Sequence, residues 1–457
     1  MPPLKRLLPT LTLIAVAAGL AAPVAALAST TQQSIIEDDT QLHANLDGTL
    51  QTMRELGATE VKVAVYWSTL APQARSFKRP KGFDGSDPAA YPATSWSFYD
   101  DVVQQAKADG LQVGFMLTGP APLWATGKGM PHTNNCPCAQ WKPSAADFEE
   151  FVHAVGERYD GSYTPAGASA PLPRVSWWSI WNEPNYGPNL APQATDDNTV
   201  YTGASMYRGL LDAAWKGLGA TGHKPGRDTI VFGETAPRGV QRRGYPGNFS
   251  GTVPLIFVES LYCEDTGGHK LAGKLAKASG CPTTAAASKK FRAQNPALFK
   301  ASGYADHPYE QGTPPNLPTY ACTVRGTNTF CSNKKTRKSD PYYADLPEIP
   351  RLERVLDRLN SAYGSHTKFP IWNTEYGFWS HPPDDQPYSL PQATAAEYMN
   401  WAEYLSYKQP RIASYDQYLL VDEPDGDWAS GLEQADGTLT QSYAAFQLPP
   451  YIAKHLP

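Results

Sequence analysis

Residues 175–185 read Val-Ser-Trp-Trp-Ser-Ile-Trp-Asn-Glu-Pro-Asn, a dense run of β-branched and aromatic residues that ends in polar groups and a proline. Strands of a parallel sheet that is covered on both faces have nearly continuous runs of apolar residues like this one. In α/β barrels the catalytic residues lie where these strands stop. The run therefore predicts a buried strand that delivers Glu183 to the C-terminal edge of a sheet.

A second stretch has the same design. Residues 369–378 read Phe-Pro-Ile-Trp-Asn-Thr-Glu-Tyr-Gly-Phe, which places Glu375 directly after another buried strand. Glycoside hydrolysis needs two such carboxyl groups, since one protonates the leaving oxygen and the other attacks the sugar or activates water. Either glutamate alone has a structural alternative, an ion pair or a helix cap, and the pair together favours chemistry.

Around these two stretches, apolar runs of strand length alternate with helical segments. The first strand is predicted at 34–38 and the first helix at 42–56, with leucines at helical spacing. The alternation predicts eight parallel strands in a (β/α)8 TIM barrel, of the α/β class, with long loop insertions at its C-terminal face. Glu183 then follows strand four and Glu375 follows strand seven.

The amino terminus has the pattern of a secretory signal peptide. Lys5 and Arg6 precede an apolar stretch over 7–27 that ends in a small-residue cleavage site. An uncleaved membrane anchor is the alternative, and two prolines inside the stretch disfavour it. We expect a signal peptide over 1–28, a secreted chain without membrane association after cleavage, and a single (β/α)8 catalytic domain over 29–457.

Charge and aromatic content indicate the kind of partner. The net charge of −5 comes without a basic cluster of the size that a nucleic-acid binder needs, so we expect no nucleic-acid partner. Aromatic residues make up 11% of the chain, with 12 tryptophans, and flat rings with hydrogen-bonding edges suit the faces of sugars. Most such rings in any protein belong to its core.

Six cysteines in an exported chain predict disulfides, of which 15 connectivities are possible. Proximity favours Cys263 with Cys281 and Cys322 with Cys331. This leaves Cys136 and Cys138. A disulfide between them would span a single residue and would be strained. Zinc is the alternative, but no paired C-x-x-C spacing supports it.

With these residues in place, the chain resembles clan A of the glycoside hydrolases, and it looks most similar to families 39 and 5. The clan carries an Asn-Glu pair after strand four, matched by Asn182 and Glu183, and a glutamate after strand seven, matched by Glu375. The sequence Trp-Asn-Glu-Pro-Asn at 181–185 is similar to the family 39 signature. The resemblance covers about residues 34–446.

The resemblance implies roles residue by residue. Glu183 would be the acid/base, Glu375 the nucleophile, and Asn182 would hydrogen-bond the sugar 2-hydroxyl. His307 and Tyr309 match the clan's His-x-Tyr after strand six, where the tyrosine holds the nucleophile. The mechanism requires no cofactor and no metal.

One position departs from the family pattern. Many relatives have an arginine on strand two where this chain has Lys62, and lysine lacks the planar fork of arginine. A retaining mechanism needs carboxyl groups about 5–5.5 Å apart. At that separation Glu183 is expected to hold its proton near neutral pH while Glu375 stays ionised.

Other residues are further candidates for the site. Aromatic residues in loops around the barrel mouth are expected to include sugar platforms, and the candidates are Trp124, Tyr186, Trp379 and Trp428. Three further acidic residues end strands, and each either binds a sugar hydroxyl or caps the following helix; these are Asp38, Asp39 and Glu234.

The resemblance thus implies a secreted retaining glycoside hydrolase that cleaves a poly- or oligosaccharide or a glycoside through a glycosyl-enzyme intermediate. Long loops after strands two, three, five and six favour exo cleavage over endo cleavage. The alternative is a non-catalytic carbohydrate-binding or cell-surface protein on a decayed barrel. A carboxyl separation well beyond the retaining range would favour that alternative. The sequence makes no prediction about oligomeric state.

Overall fold

The structure is a computed structural model that describes residues 31–130, 138–195, 199–240, 249–310, 312–317, 322–325, 328–331, 341–383, 388–424 and 428–455. Its centre is a closed barrel of eight parallel strands, each hydrogen-bonded to its neighbours in chain order. This confirms the predicted (β/α)8 fold. The barrel strands are β1 (Gln33–Glu37), β2 (Glu60–Tyr66), β3 (Gln112–Thr118), β4 (Trp177–Ile180), β5 (Thr229–Thr235), β6 (Gly303–Asp306), β7 (Ile371–Asn373) and β8 (Ile412–Tyr418).

Helices cover the outside of the barrel and its loops. They are α1 (Asp39–Ala44), α2 (Leu46–Glu55), α3 (Trp67–Leu70), α4 (Ala93–Asp109), α5 (Ala145–Arg158), α6 (Thr202–Ala220), α7 (Pro254–Leu261), α8 (Gly273–Ala278), α9 (Ala285–Gln294), α10 (Ala297–Lys300), α11 (Ile349–Ala362), α12 (Gln392–Tyr407) and α13 (Gln441–His455). Short 3₁₀ turns occupy Pro88–Ala90, Leu123–Ala125, Cys138–Gln140 and Leu346–Glu348. Two small strand pairs join Cys322–Arg325 to Asn328–Cys331 and Ser380–His381 to Leu390–Pro391. Every helix of the described residues is too short or too polar to cross a bilayer.

Side chains of the strands alternate between the barrel interior and the layer under the helices. On β4, Trp177 packs inside the barrel against Trp372 of β7, with ring centroids 5.7 Å apart. The next residue, Trp178, belongs to the larger core and contacts Phe115. The aromatic residues of β4 therefore pack on both sides of the barrel wall, as the prediction of a strand buried on both faces requires.

Two helix ends have caps that their residue types explain. The Ser144 hydroxyl accepts a hydrogen bond from the Asp147 backbone N–H at 3.3 Å and caps α5. Gly110 ends α4 with φ of 78°, a left-handed conformation that glycine adopts without a Cβ penalty.

The prediction of one helix over 42–56 was wrong. Asn45 is extended, with φ of −155°, and separates α1 from α2. Its side-chain oxygen accepts a hydrogen bond from the Gly48 backbone N–H, so asparagine caps a new helix instead of continuing the first. The C-terminal helix α13, which packs on α12, was not predicted.

The disulfide between Cys263 and Cys281 is present, as predicted, and ties the segment between α7 and α9. Cys322 and Cys331 are directly opposed backbone partners in their strand pair, but their side chains lie outside the described part. Cys136 and the 1–28 leader also lie outside it. The second and third bridges, the leader and the division into domains stay predictions.

Candidate active site

Glu183 lies three residues beyond the end of β4, at the C-terminal mouth of the barrel. The backbone turns sharply here, since Trp181 has φ of 67° and Glu183 has φ of 42°. Non-glycine residues in this left-handed region each cost on the order of 1–3 kcal/mol, and they cluster at functional sites. The turn leaves the Glu183 side chain 19% exposed at the mouth.

Asn185 holds this turn in place. Its side-chain oxygen accepts a hydrogen bond from the Ala236 backbone N–H at 2.7 Å. Its amide donates to the carbonyls of Ala236 and Thr252, at 3.0 and 2.9 Å. The buried asparagine of the Trp-Asn-Glu-Pro-Asn motif therefore ties the loop after β4 to the segment after β5.

Glu375 lies two residues beyond the end of β7 and its side chain is 10% exposed. The preceding residue, Thr374, donates its backbone N–H to the Asp306 carbonyl of β6 at 3.2 Å. The Tyr309 hydroxyl lies 3.4 Å from Glu375 Oε2 and donates to it. This contact supports the expectation that Tyr309 holds Glu375.

His307 connects the two glutamates. Its Nδ1 lies 3.2 Å from Glu183 Oε1 and 3.2 Å from Glu375 Oε2. Its Nε2 lies 2.7 Å from Oε2 of a third carboxyl group, Glu234 at the end of β5. The imidazole is fully buried between these three groups.

Lys62 supplies a second positive charge from inside the barrel. Its fully buried Nζ lies 2.8 Å from Glu37 Oε2, 3.4 Å from Glu234 Oε2 and 3.5 Å from Glu375 Oε1. It also donates to the Thr374 carbonyl at 2.9 Å. The lysine that stands where many clan relatives have arginine therefore reaches Glu375, but as one point charge shared among several acceptors.

Three carboxyl groups of the site have raised pKa values. Burial raises the pKa of Glu375 to about 7, although His307 and Lys62 oppose the rise, so the ionisation expected of this group at neutral pH is complete only above that value. Burial likewise raises the pKa of Glu37 to about 7 against the opposing charge of Lys62. Burial also raises the pKa of Asp416, which projects from β8 and is fully buried.

The groups beneath them are held in their charged forms. Burial would raise the pKa of Glu234, but the charge of Lys62 and the hydrogen bond from His307 outweigh it and lower that pKa to about 2. Burial would lower the pKa of His307, but the carboxyl groups of Glu375, Glu183 and Glu234 raise it well above its ordinary value. The site is therefore a chain of alternating charges and not two isolated acids.

One carboxyl oxygen of Glu183, one of Glu375 and the facing nitrogen of His307 all lie within 4.8 Å of one another. Nearest oxygens this close are compatible with the roughly 5–5.5 Å between the carboxyl groups of a retaining pair. The same spacing suits a divalent cation. A protonated His307 and the ammonium of Lys62 oppose a cation here, so the arrangement fits acid–base chemistry better than metal ligation.

Aromatic rings form one wall beside Glu375. The Tyr309 ring contacts Trp379 and Trp428, with centroids 5.9 and 5.7 Å away, and these two indoles are 4.3 Å apart. Tyr186 is 41% exposed and near enough to Glu183 that the charge of this glutamate, together with burial, raises the pKa of the tyrosine. Three of the four candidate platforms thus lie close to the catalytic candidates or to their tyrosine.

The fourth candidate, Trp124, has a different environment. Its indole N–H donates to the Pro72 carbonyl at 3.1 Å, and its ring packs against Trp67 and Phe83. The guanidinium of Arg79 lies 5.3 Å from its ring centroid. These contacts place it in an aromatic cluster of the loop after β2, and its role as a platform stays a prediction.

Asn182 has an unused hydrogen-bonding group. Its backbone N–H donates to the Thr118 hydroxyl at 3.0 Å, which fixes the residue against β3. Its side-chain oxygen is buried and has no hydrogen-bond partner among the described residues. A buried acceptor without a partner is costly, so a ligand hydroxyl at this position would satisfy it.

The structure adds several residues to the site that the sequence pattern does not reveal. Glu234 is predicted from the sequence only as a hydroxyl ligand or a cap, yet it is the partner of both buried cations, Lys62 and His307. Glu37 and Asp416 were not singled out, although both project into the barrel. Their positions along the strands could have identified them, because side chains that point into the barrel recur at every second residue of a strand. Asp38 is a cap, as one alternative held, since its carboxyl accepts from Gln41 N at 2.9 Å.

No protein-family model matches the chain, and no curated protein sequence matches it. Solved structures do. A family 39 glycoside hydrolase from Bacteroides cellulosilyticus WH2 is 14% identical, with 94% of this chain and 65% of that one covered and a TM-score of 0.49. A glucosidase from Croceicoccus marinus is 12% identical over 88% of this chain and 63% of that one, with a TM-score of 0.48. The chain thus spans somewhat less than two thirds of the length of these two proteins.

A β-glucosidase from Thermotoga maritima in complex with castanospermine is 12% identical, with a TM-score of 0.54. The alignment covers 93% of this chain and 98% of the β-glucosidase. At this identity the similarity is one of fold. It agrees with the closed parallel barrel described above and with the fold that the resemblance to clan A implies.

Proposed function

We propose that this chain is a retaining glycoside hydrolase in which Glu375 is the nucleophile and Glu183 the acid/base. The observation that carries the proposal is the close approach of one oxygen from each carboxyl group, within 4.8 Å, at the mouth of a closed barrel. That spacing also counts against the non-catalytic alternative, which a wide separation would have favoured. The glycosidase folds of the structural neighbours are consistent with the proposal.

The reaction would proceed in two steps. In the first, a Glu375 oxygen bonds to the anomeric carbon as the glycosidic C–O bond breaks, and the leaving oxygen takes the proton of Glu183. In the second, Glu183 removes a proton from water, the water oxygen bonds to the same carbon, and Glu375 leaves as a carboxylate. Two inversions give net retention of configuration.

The surroundings support a neutral sugar as substrate. The cations beside the two glutamates, Lys62 and His307, are fully buried and already contact carboxyl groups. They are therefore poorly placed to bind a uronic acid or a sulfated sugar. The unpaired oxygen of Asn182 would accept a hydroxyl of the sugar, and Trp379 and Trp428 would pack against its apolar face.

The predicted secretion belongs to the same proposal, since a signal peptide would deliver the enzyme to extracellular glycans. Exo cleavage is the expectation from the long loops after β2, β3, β5 and β6. An open groove several sugars long in a complex with an oligosaccharide would contradict exo cleavage.

A panel of aryl β-glycosides and α-L-arabinofuranosides, alongside polysaccharides, tests the proposal. We expect release of the aryl group from at least one neutral glycoside and none from the matching glucuronide. Proton NMR should show that the first product formed has the same anomeric configuration as the substrate. An inverted first product, or no turnover of any substrate by folded protein, would contradict the proposal.

We expect the pH profile of the wild type to report Glu375. Its pKa is raised to about 7, so the carboxylate needed for attack is present above that pH and is lost as pH falls through it. The measurement is kcat/KM for an aryl glycoside between pH 4 and 9. The acidic limb of this pH profile should have an apparent pKa of about 7, the value of Glu375. A limb near the ordinary glutamate value of 4.5 would show that burial does not control this group.

A further inference from the structure

Glu234 is a buried carboxyl group that the two-step reaction does not use. It stands at the end of β5 with φ of 47°, and its side chain is fully buried. One oxygen, Oε2, accepts from the Thr374 hydroxyl at 2.7 Å and lies 2.7 Å from His307 Nε2 and 3.4 Å from Lys62 Nζ. All of these partners are protein groups and the carboxyl group is fully buried, so Glu234 acts on the site through its neighbours.

The contacts of His307 determine its protonation. Nε2 faces the Glu234 carboxylate, while Nδ1 faces Glu183 and Glu375 at 3.2 Å each. A neutral imidazole has one nitrogen without a hydrogen, and the lone pair of that nitrogen would face an ionised carboxylate, Glu234 at Nε2 or Glu375 at Nδ1. Hydrogens on both nitrogens satisfy all three contacts and leave the ring positively charged.

The charged groups around His307 come from five strands. They are Lys62 of β2, Glu183 after β4, Glu234 of β5, Asp306 of β6 and Glu375 after β7. Burial raises the pKa of Asp306 to about 7 and favours its neutral form below that pH. Of the three remaining acidic neighbours, Glu183 and Glu375 are at the mouth and take part in the reaction, so Glu234 is the anion that stays beside the ring throughout.

We propose that Glu234 is a positioning residue that holds His307 doubly protonated and so keeps a positive charge between Glu183 and Glu375. The inference rests on the proposed function, because it concerns how that pair exchanges charge. In the first step the negative charge leaves Glu375, which becomes an ester, and appears on Glu183, which has lost its proton to the leaving group. His307 Nδ1 is equally far from both carboxyl groups, so its hydrogen stabilises the anion in either state.

The experiment measures the protonation of His307 directly. Nitrogen-15 NMR of histidine-labelled protein distinguishes an imidazolium from either neutral tautomer, and His307→Gln identifies the signal. In the wild type we expect both ring nitrogens to stay protonated from pH 5.5 to 8.5. In Glu234→Gln the ring should lose a proton within that range, because the substitution keeps the shape and removes the charge.

Glu60→Gln is the matched control. Glu60 is also a fully buried glutamate of the barrel, at the N-terminal end of β2, and no hydrogen bond joins its carboxyl oxygens to another described group. It should leave the His307 signal unchanged. A neutral His307 in the wild type, or an unchanged doubly protonated ring in Glu234→Gln, would overturn the proposal. If Glu234→Gln fails to fold, the wild-type spectrum alone still shows whether His307 is doubly protonated.

Kinetics separate positioning from a merely structural role. The acidic limb of kcat/KM in Glu234→Gln should move upward by about one pH unit, since Glu375 loses a stabilising cation. The double variant Glu234→Gln/His307→Gln should match His307→Gln, because Glu234 acts through that ring. Additive losses would contradict this. An inactive wild type would defeat the proposed function alone, while an active enzyme with an unaltered His307 in Glu234→Gln would defeat this inference alone.

Discussion

Glu375→Ala is expected to lose hydrolysis of aryl glycosides by about 10⁴-fold or more, because no other carboxyl group can form the glycosyl ester. Glu375 lies at the mouth, with Lys62 and His307 within 3.5 Å of its oxygens to hold its negative charge. The removed side chain leaves space beside the anomeric carbon. Azide should enter that space and restore turnover, with Glu183 still protonating the leaving group.

The product of the azide reaction carries the decisive information. Direct attack from the position of Glu375 gives a glycosyl azide of inverted configuration, which NMR identifies together with its sugar. Glu60→Gln, with its buried glutamate far from the mouth, should keep the kcat of the wild type. Activity retained by Glu375→Ala without azide would remove it from the role of nucleophile.

Glu183→Ala is expected to lose about 10²–10⁴-fold on glycosides with poor leaving groups, the range that general acid catalysis contributes. Glycosides with a strongly acidic phenol need little protonation and should still form the glycosyl enzyme. Turnover of these should then be limited by the second step, because Glu183 no longer activates water. A burst of phenol followed by a slow steady state is the expected time course.

Azide distinguishes Glu183→Ala from Glu375→Ala. In Glu183→Ala it attacks the ester formed with Glu375 and gives a glycosyl azide that retains the configuration of the substrate. The control is Glu157→Ala, which removes a half-exposed glutamate of α5. A loss that is equal for good and poor leaving groups would show that Glu183 does not protonate the leaving oxygen.

The sequence predicted much of this arrangement because its signals are local. The apolar runs ending at Glu183 and Glu375 indicated strands, and their polar ends indicated the edge of the sheet. The parallel order of strands then placed both glutamates on one mouth. The pairing of Cys263 with Cys281 also followed from proximity along the chain.

Local signals failed where a single side chain decided the outcome. The leucine spacing over 42–56 fitted one helix, but Asn45 caps a second one and breaks it. Trp124 lies in a loop after a strand, as the other candidate platforms do, and its packing against Trp67 and Phe83 could not be inferred from that position. Loop position alone does not determine which way a ring points.

The sequence by itself determined the barrel, the order of its strands and the two glutamates at its mouth. Only the tertiary structure decided which charges surround them. Glu234 and His307 are 73 residues apart, and Lys62 is 312 residues from Thr374, yet closure of the barrel brings them into contact. Burial then decides which groups ionise, because charge in a low-dielectric interior depends on neighbours from other strands, and no spacing along the chain encodes those distances.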